Sequence, residues 1–172
     1  MSPRQTAAGF TLIEAMVAVS LMAVLLTIAV PSFNNAALGS QLRASANDLA
    51  AAAFLARSEA IKRNRVVTLC MSADGETCSV SGGWEQGWAI LLPAVPPATP
   101  IPLQQYKAAP AGLKITAGAV TSLSFQPSGA GATSAIFTVC RATPSVGREE
   151  RVVQIDATGR PWVRRTTTAT CS

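Results

Sequence analysis

A membrane-length apolar segment near the N-terminus, broken by a single carboxylate, constrains this chain more than any other feature. Gly9-Phe10-Thr11-Leu12-Ile13-Glu14 opens a stretch that carries no further charge until Arg43, a run of 28 uncharged residues after Glu14. About 20 residues rising 1.5 Å each cross the ~30 Å hydrocarbon layer, so the segment is long enough to span a bilayer. An acidic side chain costs about 3 kcal/mol at mid-membrane and less near an end. A segment meant only to anchor or export has little reason to keep Glu14, and the segment itself holds no cation to pair with it. A secretory signal peptide, with Asn35-Ala36-Ala37 as its cleavage site, accounts for the basic start and apolar core but not for the acid or the length of the run. A plain inward-anchored helix accounts for the length alone.

Gly9-Phe10-Thr11-Leu12-Ile13-Glu14, followed by the apolar run Ala15 to Val30 and then Pro31, resembles the prepilin leader and N-terminal helix of type IV pilins and type II secretion pseudopilins. In that family a prepilin peptidase cuts after the glycine and N-methylates the new N-terminus. The resemblance implies cleavage between Gly9 and Phe10, so that residues 1–9 are a leader and Phe10 becomes the methylated start. It also implies that the Phe10 amine of a neighbouring subunit is the partner of Glu14, the assembly residue.

Four cysteines and the absence of histidine bear on chemistry and compartment. Seven, 61 and 30 residues intervene between successive cysteines, which is not the spacing of a zinc site, so no metal is expected. Four cysteines allow three connectivities. The preferred one joins Cys70 to Cys78 across the Asp74-Gly75 loop and Cys140 to Cys171 near the C-terminus, with loop-closure contributions of about 2.5 and about 3.5 to 4 kcal/mol. Disulfides place the folded part on an oxidising side, periplasmic or outer. Without histidine the usual base for a serine or cysteine nucleophile is missing, and Gly129-Ala130-Gly131 does not continue into a phosphate loop. Asp74, Glu76 and Glu85 sit near turns. No catalytic residue and no cofactor is therefore expected.

Periodicity organises the rest. Leu38, Leu42, Ala46, Leu49, Ala53, Ala56 and Ala60 recur at steps of three and four, with charged residues outside the stripe. The spacing predicts an amphipathic continuation of the helix over 34–64, after a transmembrane or filament-core part over 10–33. Pro31 is expected to kink or locally melt it. Over 65–172 the pattern turns to short β-rich runs, with strands expected at 66–71, 88–92, 113–116, 122–126, 135–141, 151–156 and 160–165. Pro93, Pro96, Pro97, Pro100 and Pro102 read as one extended loop. The fold class expected is α+β and pilin-like: a long N-terminal helix packed on a C-terminal antiparallel β domain.

Cys70 through Cys78, then Gly83-Trp84-Glu85-Gln86-Gly87-Trp88, and Ala157-Thr158-Gly159-Arg160 near the end, resemble the GspH/FimT group of minor pseudopilins and minor pilins. Trp84 and Trp88 are expected in the core beside a glycine turn. The net charge of +5 becomes +4 without Arg4, and six arginines lie between Arg141 and Arg165, which suggests an acidic partner. If 160–165 is a strand, Arg160, Trp162 and Arg164 share one face, and a cation-flanked indole can grip phosphates and stack on a base. Some members of the FimT branch bind DNA during natural transformation through a Gly-Arg-x-Arg motif. Here Gly159-Arg160-Pro161-Trp162 lacks its second arginine, so Arg164 or Arg165 would have to substitute. The structural alternative packs Trp162 inward and leaves the arginines guarding an edge strand.

These readings imply a minor pilin or pseudopilin that acts in the assembly or initiation of a filament, with its tip as a candidate position, and with other such subunits, a prepilin peptidase and the inner membrane as partners. The expected topology is single-pass, with a cytoplasmic leader and a periplasmic C-terminal domain. DNA uptake and the pseudopilin H role in type II secretion stay open beside it.

Overall fold

A computed structural model of the chain describes residues 10–94, 98–131, 134–146, 149–167 and 171. They divide between Ala37 and Leu38 into two compact units. One helix, α1 (Leu12–Arg63), begins in the first and ends in the second. In the first unit every residue from Phe10 to Ala37 is exposed, large apolar side chains included. By length and composition α1 is apolar enough to cross a membrane. The backbone stays helical through Pro31, so the expected local melting is absent; a proline removes one backbone donor, and the remaining bonds of the ladder hold the turn.

In the second unit the Ala-rich stripe does what its period predicts. Leu42, Ala46, Leu49, Ala53, Ala56 and Ala60 are all buried, in one core with the sheet residues Leu69, Ile90, Leu123, Phe137 and Val153. Small alanines let the helix approach the strands closely, and dense packing then supplies the dispersion contacts that alanine's own small area cannot.

Among the described residues, eight strands form two antiparallel sheets. They are β1 (Val67–Met71), β2 (Trp88–Leu92), β3 (Ile101–Tyr106), β4 (Leu113–Thr116), β5 (Ser122–Phe125), β6 (Ala135–Arg141), β7 (Glu150–Ile155) and β8 (Pro161–Thr166). The orders are β3-β2-β1-β5 and β4-β6-β7-β8. Seven of these match expected strands within a residue at each end, while β3 falls in what the prolines suggested was a loop. It is an edge strand with mostly exposed residues, and its register slips by one between Ile90 and Leu91 opposite Pro102. A proline is tolerated there because an edge strand leaves one side unpaired. Pro96 and Pro97 lie outside the described residues.

Cys70 joins Cys78 and Cys140 joins Cys171, the preferred connectivity. Trp84 and Trp88 are buried. Trp84 donates from Nε1 to the Val120 carbonyl at 2.8 Å and meets Phe137 edge-on at 4.8 Å between centroids, which ties the two sheets together. Trp88 stacks on Tyr106 at 5.4 Å. Gly87 makes this turn possible: at φ +118° a Cβ would lie 2.8 Å from the Tyr106 carbonyl oxygen.

Candidate functional site

Two places carry the chemistry expected of the chain. The first is the start of α1. Thr11 precedes the first helical residue, and its hydroxyl accepts the Glu14 backbone N–H at 3.3 Å. Thr11-x-x-Glu14 has the residue types of a capping box, a signal present in the sequence that the prepilin resemblance overshadowed. It gives Glu14 a local role, because a carboxylate in the first turn gains about 0.3 to 1 kcal/mol from the helix dipole. Against that gain a lipid environment sets a cost of up to about 3 kcal/mol at mid-membrane and less near a helix end. Glu14 is exposed on an apolar helix and still calls for a cation from outside the helix. Phe10 is exposed beside it, and Gly9, with the rest of residues 1–9, lies outside the described residues.

The second place is β8 and the turn before it. Asp156 anchors that turn, accepting the backbone N–H groups of Thr158 and Arg160 and the Thr158 hydroxyl. The Thr158 hydroxyl first, then the Arg160 amide, hold its carboxyl below the usual range. Gly159 has φ +73°, and a Cβ would come within 2.8 Å of the Gly129 carbonyl oxygen, so the Gly-Arg step requires glycine. The strand starts at Pro161, which leaves Arg160 on the turn rather than in the strand as expected.

Alternation then separates the four candidate residues. Trp162 and Arg164 share the outer face, Trp162 being 41% exposed, so the indole does not pack inward. The Arg164 guanidinium carbon lies 5.6 Å from the centroid of the Trp162 ring. It is within cation–π range and already takes one face of the indole. Arg165 points to the other face and binds Glu149 at 2.6 Å. The structure therefore brings Trp162 and Arg164 together, leaves Arg160 on the turn just before the strand, and removes Arg165 from the set. Across the outer face Trp162 stands opposite Gln154, and Gln154 opposite Ile136, which is 56% exposed. Ile136 was missed because half-exposed apolar residues in strands carry no local signal. Among the described residues no cluster of His, Cys, Asp and Glu could hold a metal.

The family model for type II transport protein GspH matches residues 45–159, more than half of the chain. The chain belongs to the GspH family. A second model, the prokaryotic N-terminal methylation motif, matches residues 4–30 of this GspH-family chain. Among solved structures it is similar to the type IV minor pilin FimU of Pseudomonas aeruginosa, at 24% identity over 77% of this chain and 96% of that one, with a TM-score of 0.61. It is also similar to the minor pseudopilin EpsH of the type 2 secretion system of Vibrio cholerae, at 14% identity over 75% and 98%, with a TM-score of 0.52. At these identities the likeness is one of fold. No curated protein matches the chain. Family and fold are those of minor pilin and pseudopilin subunits, which associate with others of their kind, and the apolar helix with its methylation motif fits a membrane-anchored pilin.

Proposed function

We propose that this GspH-family subunit is cut after Gly9, methylated on Phe10, held in the inner membrane by residues 10–33 and then drawn into a filament. The leader faces the cytoplasm and the disulfide-bonded unit the periplasm. The observation that carries this reading is Glu14, a carboxylate in the first turn of a helix whose apolar first part, up to Ala37, is exposed throughout. A free N-terminal amine on Phe10 of a neighbouring subunit supplies the missing cation. In a medium of low dielectric that ion pair outweighs the modest gain from capping alone. The uncovered apolar surface is then buried twice in succession, by lipid before assembly and by other helices after it.

Replacing Glu14 with Gln keeps the shape and the cap but removes the charge. Glu14→Gln chains are expected to be processed and membrane-bound, yet at least about tenfold depleted from the sheared filament fraction, a loss of about 1.4 kcal/mol or more. Undiminished incorporation contradicts the ion-pair role. A deletion strain assigns the machine: retained exported proteins mark type II secretion, lost twitching or transformation marks a pilus.

A further inference from the structure

The folded unit carries two exposed features of opposite charge on different sheets. The first is the loop after β1. Asp74 Oδ1 accepts the N–H groups of Glu76 and Thr77 and the Ser72 hydroxyl, while Oδ2 accepts the Thr77 hydroxyl. The Thr77 hydroxyl foremost, then those amides, hold the Asp74 carboxyl far below the usual range, so its charge persists at any ordinary pH. The Cys70–Cys78 bridge and the Ser79 N–H to Met71 carbonyl bond of 2.8 Å close the loop. From this rigid knob Glu76 points into solvent, and Val80 is 90% exposed. The second feature is the outer face at β8, where Arg164 lies over Trp162 in the row that also holds the exposed Ile136, with Arg160 exposed on the turn before the strand.

Knob and face match in both chemistries, acid to cation and aliphatic to aromatic. We propose that the knob of one copy of this chain docks on the β8 face of a second copy, Glu76 against Arg164 and Val80 against Trp162. This inference rests on the filament role above and names a contact for it. Made in one direction the contact leaves a free knob at one end and a free face at the other and so can repeat; made reciprocally it closes a two-fold pair, and both forms use the same two surfaces. A loop already ordered by a disulfide and an aspartate network loses little entropy on docking. Electrostatic attraction between the two also makes the contact sensitive to salt.

The test uses the full chain in detergent micelles, with self-association followed by sedimentation at about 50 mM and about 500 mM salt, a range over which the Debye length shortens about threefold. Wild type is expected to associate more strongly at low salt. Glu76→Lys alone and Arg164→Glu alone each set like charge against like and lower association about tenfold or more. An equal mixture of the two pairs opposite charges at both contacts and restores it to near the wild-type level. All samples share the same apolar helix, so the differences report the knob and face alone. Salt-insensitive wild-type association, or a mixture no better than its components, overturns the proposal. So does binding of single-stranded DNA that Arg164→Glu abolishes while self-association is unchanged, because the face then serves nucleic acid. Failure of the filament role itself is read separately, from Glu14→Gln incorporation.

Discussion

Trp84 and Trp88 are four residues apart and both buried, and they differ in their ring partners, Phe137 edge-on and Tyr106 stacked, and in the surroundings of Nε1. Trp84 Nε1 has its carbonyl partner, whereas Trp88 Nε1 is buried with no hydrogen-bond partner among the described residues. A phenylalanine at either position removes the same indole atoms and keeps an aromatic ring for Phe137 or Tyr106 to meet, so the hydrogen bond is the main difference the two variants read. Trp84→Phe strands the Val120 carbonyl and should lose about 1 kcal/mol or more beyond Trp88→Phe, as read from denaturant midpoints. An equal or greater loss for Trp88→Phe would contradict the assignment. Charge at single residues also predicts a pH profile. Asp74 and Asp156 both have folded pKa values below the ordinary ~3.9. A depressed carboxylate adds stability above its unfolded pKa and loses it as pH falls through the folded one. The thermal midpoint should therefore be flat from pH 7 to about 5 and fall below about pH 4, with Asp74→Asn flattening part of that fall.

At the scale of elements, the two disulfides do unequal work. The Cys140–Cys171 bridge spans 31 residues and the Cys70–Cys78 bridge 8, so loop closure assigns about 3.5 to 4 and about 2.5 kcal/mol to them. Paired serine substitutions should lower unfolding free energy in that order, and the reverse order would mean that strain or residual structure outweighs chain entropy. The elements also show where a sequence speaks clearly. The helix and its buried stripe were legible because a 3.6-residue period fixes which face meets the core. β3 was hidden because proline normally ends strands, and only tertiary placement at a sheet edge, with a bulge at Leu103 beside Pro102, makes it acceptable. The faces of β8 followed from alternation, yet the role of Arg165 depended on Glu149, sixteen residues away in sequence and adjacent only after folding.

For the whole molecule, the division of labour between the two units explains an otherwise contradictory composition. A chain that is 49% hydrophobic would bury most of that material in a single globule. Here much of it lies on the uncovered first part of α1, and the second unit closes its own core with alanine-rich helix, two sheets and two bridges. Such a molecule is incomplete alone: its first unit needs lipid or other helices, and Glu14 needs a cation. The prepilin motif was legible because six contiguous residues carry it, whereas the surfaces that would meet neighbouring subunits are assembled from distant strands. The most direct test of the account is the N-terminus of the chain recovered from cells, read by mass spectrometry. A start at Phe10 bearing one added methyl group is the predicted result. An intact Met1, or a start near Ala37, would remove the amine that Glu14 requires and contradict filament assembly as its function.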